Sequence, residues 1–220
     1  MRRTVAGAAL GAVLLAMLAA CHESVGVGAC YESGATAYPV HAPGDTTAVF
    51  RWPDDFQPVR FYAEPVGSLQ ANVDAGMQLW VNAFRCHELT LQRVSDSTTA
   101  DIVIRNPGSL PPPANAITVA ADSVGACRGR TDVSLDTLGR LTRPIRVYVV
   151  PSNIDSVAVA ACYHFVTAHE IGHTLGLFSH SSDPADLMYA VPRRTALSIN
   201  DRYTIQLLYH VDAPVKPEPR

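Results

Sequence analysis

The segment that most restricts the fold is residues 169–180, which read HEIGHTLGLFSH. His169 and His173 are four residues apart, so a helix places both imidazoles on one face. Glu170 follows His169 directly but lies roughly a third of the way around the helix, given about 3.6 residues per turn. Gly176 marks the end of this helix, because glycine adopts the left-handed C-terminal conformation without steric cost. The chain can then turn back and bring His180 toward the two helical histidines.

Three imidazoles in this order predict a zinc site. Zinc binds histidine nitrogens at roughly 2.0–2.1 Å, and three protein ligands with one open position are typical of a catalytic site. A structural site is instead closed by four protein ligands. Water in the open position has a pKa lowered to about 7, and Glu170 can face that water without binding the metal. The spacing therefore predicts a hydrolytic zinc centre.

The run HEIGHTLGL, followed by HSSDPADLMY, resembles the zinc motif and methionine turn of the metzincin metallopeptidases, in their matrixin-like branch. Met188 matches the methionine of that turn, and residues 197–209 are similar to the C-terminal helix of the branch. The resemblance is sharp over residues 165–210 and looser from residue 58 onward. It implies a zinc-dependent endopeptidase that hydrolyses peptide bonds with a zinc-activated water.

The resemblance also implies the site residues: one catalytic Zn²⁺ on His169, His173 and His180, with Glu170 as general base. The third histidine lies one residue later than is usual in the branch, where this chain has Ser179. Serine is a poor zinc ligand and the HSSDP context aligns on His180, which predicts a loop one residue longer. Asp183 is the next candidate if His180 is not the ligand. No calcium or second-zinc constellation is evident.

The resemblance implies an α/β (α+β) fold, a metzincin-like catalytic domain with a twisted mixed sheet and about three helices. Apolar spacing independently predicts a helix after residue 68 and an active-site helix from residue 155 or 156 to about 175. The first half of that second helix is apolar nearly all round, which predicts a buried position. Ser198 and Asp201 resemble a capping box for the last helix. Strands are predicted over 59–64, 89–94, 101–105, 116–121 and 145–150, and residues 127–143 are predicted to be turn-rich.

The N-terminus predicts export. Arg2 and Arg3 precede an apolar stretch over 5–20, which is shorter than the roughly 20 residues of a membrane-spanning helix. This is the pattern of a signal peptide, assigned to residues 1–20. Its end, Leu-Ala-Ala before Cys21, resembles a bacterial lipobox and implies a lipidated Cys21 in the cell envelope, at the outer membrane or cell surface. An ordinary signal peptide with secretion is the alternative.

Amino-acid composition divides the chain after the signal peptide into three predicted segments. Residues 21–48 are rich in small residues and proline and are predicted to be a tether. Residues 49–212 are assigned to one catalytic domain, and the proline-rich tail 213–220 is predicted to be disordered.

Four cysteines remain beside Cys21. An even number in an exported protein predicts two disulfides with three possible connectivities. We favour Cys30–Cys86 and Cys127–Cys162. None of the four has the CxxC spacing of a zinc-binding pair.

The net charge of the chain limits the classes of partner that it is expected to bind. Without Arg2 and Arg3, the 17 basic residues fall to 15 against 20 acidic ones, a formal charge of −5. The chain has no basic stripe, so nucleic acid is not an expected partner. The expected partners are a protein or peptide substrate and, through the lipid, a membrane; a monomer is expected. Two alternatives stay open: a non-catalytic surface lipoprotein that uses a degenerate metallopeptidase fold for binding, and a hydrolase of cell-wall peptide.

Overall fold

The computed structural model describes residues 30–41, 49–112, 117–124, 127–152 and 155–220. Within these residues, six strands form one mixed sheet in the order β2-β1-β3-β6-β5-β4. The strands are β1 (Val59–Ala63), β2 (Leu91–Arg93), β3 (Ile102–Arg105), β4 (Ile117–Val124), β5 (Cys127–Val133) and β6 (Ile145–Pro151). Strands β2, β1, β3 and β6 pair in parallel, whereas β5 pairs antiparallel with both β6 and β4.

Three α-helices accompany the sheet in the described residues: α1 (Leu69–Val81), α2 (Ser156–Thr174) and α3 (Ile199–Tyr209). Alternate residues of β1 are buried, as the predicted period of two requires. Helix α1 packs on α2 through Gly76, where a Cβ would lie 2.8 Å from Cδ1 of Ile171. The predicted fold class, an α/β metzincin-like domain, is confirmed.

Helix α2 is less buried at its start than its composition predicts. Val157 is 76% exposed, whereas the second half of the helix is enclosed, with Ile171 fully buried. Apolar composition does not by itself predict burial, because folded proteins expose many apolar side chains at their surface. The predicted helix bounds themselves are confirmed, and Asp155 caps the N-terminus by accepting a hydrogen bond from the Val157 amide at 2.7 Å.

Strand β5 is the main departure from the predicted elements. Its sequence, CRGRTDV, lies in the region predicted to be turn-rich, yet six of its seven residues are buried. Two polar side chains within it are paired, since the guanidinium of Arg130 lies 2.9 Å from the carboxylate of Asp132. A strand buried through polar contacts has no alternating apolar pattern, and this is why periodicity does not reveal it.

Both ends of the described chain are packed against the domain. Tyr38, in the region predicted to be a tether, donates a hydrogen bond to Asp201 on α3 at 3.0 Å. The prediction of a tether is therefore wrong for residues 30–41. The prediction of a disordered tail is wrong for residues 213–220, because Val215 forms a bridge with Phe50 and Pro217 forms one with Leu141.

Two disulfides join distant parts of the fold, and both have the favoured connectivity. Cys30 and Cys86 have Cα atoms 5.5 Å apart, and Cys127 and Cys162 have Cα atoms 5.2 Å apart. The second disulfide links the first residue of β5 to the first half of α2. The signal peptide and Cys21 lie outside the described residues. Among the helices that are described, none has the length and apolar character needed to cross a membrane.

Candidate metal centre

Three imidazoles meet at the end of α2. His169 and His173 are fully buried on one face of the helix, and their Nε2 atoms are 3.1 Å apart. His180, from the loop that follows, places its ring centroid 5.2 Å from that of His169 and 5.1 Å from that of His173. One potential ligand atom from each ring lies within 4.8 Å of the others. The structure thus brings together the three histidines that the sequence analysis selected.

Hydrogen bonds orient the two helical imidazoles. Nδ1 of His169 lies 2.8 Å from the carbonyl oxygen of Leu187, and Nδ1 of His173 lies 2.5 Å from that of Leu177. A carbonyl oxygen can only accept, so each Nδ1 carries the proton and donates it. Each Nε2 is then an acceptor, and two lone pairs face one another across 3.1 Å. Two opposed lone pairs fit a cation between the rings. The hydrogen bond from Nδ1 to a backbone carbonyl is the usual second contact of a metal-binding histidine.

Burial keeps these imidazoles neutral. Loss of solvation lowers the pKa of His169 to about 3, an effect opposed by its hydrogen bond to Leu187 and strengthened by His180. Burial also lowers the pKa of His173 well below 6.5, and the neighbouring His169 and His180 lower it further. Neutral imidazole is the form that binds a metal ion. The donor set, its tautomers and its charge state therefore fit Zn²⁺.

A Schellman turn directs the chain from α2 back toward the site. Gly176 has φ +108°, and its amide donates to the carbonyl of His173 at 3.2 Å. The Leu177 amide donates to the carbonyl of Gly172, also at 3.2 Å, which completes the motif. A Cβ on Gly176 would overlap the carbonyl oxygen of Phe50. Glycine is thus required both for the backbone conformation and for the close approach of the N-terminal part of the domain.

The loop after His180 lies beneath the helix and supports it. Met188 is fully buried, and its sulfur would lie 2.5 Å from a Cβ on Gly172. Gly172 lies between the two helical histidines in the sequence. Ser181 and Tyr189 form a bridge that closes the loop at its ends. Met188 therefore packs against α2 at Gly172, and its role as the methionine of the turn stays a prediction.

Asp201 connects this loop to α3. Its carboxylate accepts hydrogen bonds from the amides of Leu187 at 2.7 Å, Met188 at 3.3 Å and Ser198 at 2.9 Å. Ser198 accepts one in return from the Asp201 amide, so the predicted capping box is present. Because the Leu187 carbonyl orients His169, Asp201 is connected to the histidine cluster through one peptide unit.

The other polar side chains near the third histidine brace the loop. The Ser179 hydroxyl donates to the His41 carbonyl at 2.6 Å, and Ser179 is not in the group that could hold a metal. Asp183 accepts from the Ala185 amide at 2.8 Å, and Asp186 accepts from the Ser181 hydroxyl at 2.5 Å. Among the described residues, the metal-capable group at this place contains histidines alone.

Glu170 lies between α2 and β5. Its side chain is fully buried, and its Oε2 accepts a hydrogen bond from the Thr131 hydroxyl at 2.7 Å. Its Oε1 lies over Gly129, where any Cβ would overlap it. Glu170 is predictable from the sequence, whereas Thr131 and Gly129 are not, because both belong to the strand that has no apolar period. A glycine and a hydroxyl two residues apart carry no signal of their own.

The comparisons agree with this geometry. Residues 130–210 match the model of the matrixin family of peptidases, described as Peptidase M10 (Matrixin). The matched segment begins in β5 and ends after α3, so it includes all three histidines, Glu170 and Met188. No curated protein matches the chain. The family match covers less than half of the chain, and together with the imidazole cluster it supports a matrixin-like metallopeptidase domain.

Proposed function

We propose that the protein is a zinc-dependent endopeptidase whose reaction takes place at the histidine cluster. The observation that carries this proposal is the pair of Nε2 atoms facing each other at 3.1 Å, with His180 beside them and the Glu170 carboxylate on the next residue of the same helix. A purely structural role would leave two buried imidazole acceptors opposed without a cation. The matrixin family match supports the same conclusion.

Each residue has a distinct role in the proposed reaction. His169, His173 and His180 would hold the ion, and a bound zinc supplies Lewis acidity toward water and the scissile carbonyl. His180 is partly exposed, whereas the two helical histidines are buried, so substrate approaches from the side of His180. Glu170 accepts a proton from the attacking water and transfers it to the leaving amine.

The proposed location is the cell envelope or the exterior. Two disulfides within one small domain support an oxidising compartment. The signal peptide and the lipid on Cys21 belong to this proposal and agree with such a compartment.

The first experiment compares the wild-type chain with Glu170→Gln, which keeps the size of the side chain and removes the base. The full chain is expressed, purified in mild detergent and measured for zinc content and casein cleavage. We expect about one zinc per chain in both proteins. Removal of the base should lower kcat about 10²- to 10⁴-fold. Glu32→Gln is the matched control, because Glu32 is a carboxylate paired with Arg202 on α3, and it should cleave casein like wild type.

Other outcomes would redirect the proposal. Absence of zinc from the wild type, or undiminished cleavage by Glu170→Gln, would contradict it. Zinc without cleavage of casein or any peptide library would favour the non-catalytic binding lipoprotein. Cleavage of cell-wall muropeptides in place of casein would favour the cell-wall hydrolase.

A further inference from the structure

Strand β5 encloses the carboxylate of Glu170 with two residues, Gly129 and Thr131, which we call the β5 pair. They are two positions apart and therefore face the same side of the strand, toward α2. The hydroxyl of Thr131 lies 2.7 Å from Oε2 of Glu170 and 3.2 Å from its carbonyl oxygen. A hydroxyl has one proton to donate, and the shorter distance assigns it to the carboxylate.

The second carboxylate oxygen occupies the space that a side chain at residue 129 would fill. A Cβ on Gly129 would overlap Oε1 of Glu170 and would lie 2.5 Å from Cγ1 of Val166. Val166 precedes Glu170 by one helical turn, so the carboxylate lies in a slot between the backbone of β5 and this methyl group. Glycine at residue 129 creates the slot, and Thr131 holds one oxygen at its end.

The slot is held in register by a covalent bond. The disulfide Cys127–Cys162 joins β5 to α2, and the contact between Thr131 and Glu170 repeats this connection farther along both elements. Four residues of strand span ~13 Å and eight residues of helix span ~12 Å, so the two connections match in length. The strand therefore meets the helix at Glu170 with little freedom to shift.

We propose that Thr131 is a positioning residue for Glu170: its hydroxyl holds one carboxylate oxygen against β5, so that the carboxylate keeps a single orientation during proton transfer. This inference rests on the proposed function for its effect on the rate. Glutamate loses side-chain freedom when it is fixed, and a preset orientation means that this loss is not repeated at each turnover. Gly129 contributes by leaving room for the second oxygen.

The test uses three variants of the full chain. Thr131→Val removes the hydroxyl and keeps the shape, Thr131→Ser keeps the hydroxyl, and Thr204→Val is the matched control. Thr204 is a buried threonine on α3 whose hydroxyl donates to the Asn200 carbonyl at 2.7 Å. Zinc content, kcat and KM are measured on one peptide, and crystal structures of zinc-loaded wild type and Thr131→Val show the orientation of Glu170.

For Thr131→Val we expect full zinc content, KM within about twofold of wild type and kcat lowered about 10- to 100-fold, the usual effect of losing an orienting partner. Thr131→Ser should recover most of the rate, and Thr204→Val should match wild type. The Glu170 carboxylate should occupy more than one orientation in the Thr131→Val crystals. A loss of stability alone, with kcat unchanged, would assign Thr131 a structural role and overturn the proposal.

Failure of this inference is distinguishable from failure of the proposed function. If the wild type binds zinc but cleaves no peptide, the proposed function fails, and the crystal structures still decide the positioning. A single, unchanged Glu170 orientation in Thr131→Val would overturn it. If Thr131→Val does not fold, Thr131→Ala, which also lacks the hydroxyl, replaces it in every measurement.

Discussion

At the scale of single residues, the site depends on three glycines, because the Cβ that each lacks leaves space for another group. Gly129 leaves space for a carboxylate oxygen, Gly176 for the Phe50 carbonyl, and Gly172 for the sulfur of Met188. Each glycine permits a contact between elements that any side chain would prevent. Glycine costs stability in a helix, so its presence at Gly172 within α2 requires such a compensating contact.

Replacement of Gly172 by alanine tests this explanation, because helix propensity and packing predict opposite changes in the free energy of unfolding. Helix propensity alone favours alanine by about 1 kcal/mol. The added Cβ would lie 2.5 Å from the sulfur of Met188 and 2.7 Å from Cζ2 of Trp80. Overpacking of a full core costs about 1–3 kcal/mol, so we expect a net loss in the free energy of unfolding measured in urea. A variant as stable as wild type would show that Met188 and Trp80 can move aside.

At the scale of elements, the helix that carries the candidate site, α2, is fixed from three directions. Helix α1 packs on it beside Gly76, the loop with Met188 lies beneath its end, and β5 is joined to it by the Cys127–Cys162 disulfide. The disulfide closes a segment that contains all of β6, the strand that pairs with β5. The position of β5 relative to Glu170 therefore depends on how β5 and α2 are joined.

Removal of this disulfide should destabilise the domain. The double variant Cys127→Ser/Cys162→Ser opens a loop with a sequence separation of 35 residues. Chain-entropy arguments give a loss of about 3–4 kcal/mol for a loop of this length. Urea unfolding measures the loss. The control, Cys30→Ser/Cys86→Ser, opens a loop of separation 56 and should lose a similar amount of stability with less effect on kcat, since it does not involve β5. Equal effects on kcat would contradict the link between β5 and catalysis.

At the scale of the whole molecule, a buried carboxylate ties the C-terminal segment to the sheet. Asp101, fully buried before β3, accepts hydrogen bonds from Arg143 at 2.6 Å, Arg220 at 3.1 Å and Arg60 at 3.3 Å. Burial opposes its ionisation, but the hydrogen bonds from these arginines outweigh burial and hold the pKa of Asp101 below its usual 3.8. One side chain thus joins the first strand, the approach to β6 and the tail.

This cluster predicts how stability depends on pH. Because the folded-state pKa is lowered, the stabilisation from Asp101 is present above the unfolded value of 3.8 and is lost as the pH falls through the folded pKa. Asp101→Asn should lower the free energy of unfolding at pH 7 by about 3 kcal/mol, the usual cost of breaking a buried ion pair. The difference between wild type and variant should shrink toward pH 3 in urea unfolding. A difference that stays constant from pH 7 to pH 3 would contradict the assigned pKa direction.

Much of the candidate site is predictable from short-range patterns. The four-residue spacing of His169 and His173, the glycine that ends α2, and the capping box of Ser198 and Asp201 each depend on residues within a few positions of one another. Backbone geometry converts such spacings directly into structure, because the helix has a fixed rise and rotation per residue. The turn after Gly176 that brings His180 back is also short-range, and the family resemblance adds the methionine turn through residues close in sequence.

What only the tertiary structure decides are contacts between residues far apart in the chain. Thr131 meets Glu170 across 39 positions, and the polar strand that carries Thr131 has no apolar period by which it could be recognised. The packed tail and the docked residues 30–41 are similar cases, since their proline-rich and small-residue composition is typical of disorder unless specific partners fix the chain. By itself the sequence determined which groups can bind a metal and move a proton. The tertiary structure decided how these groups are held, because burial and hydrogen bonding across the sheet depend on which elements become neighbours.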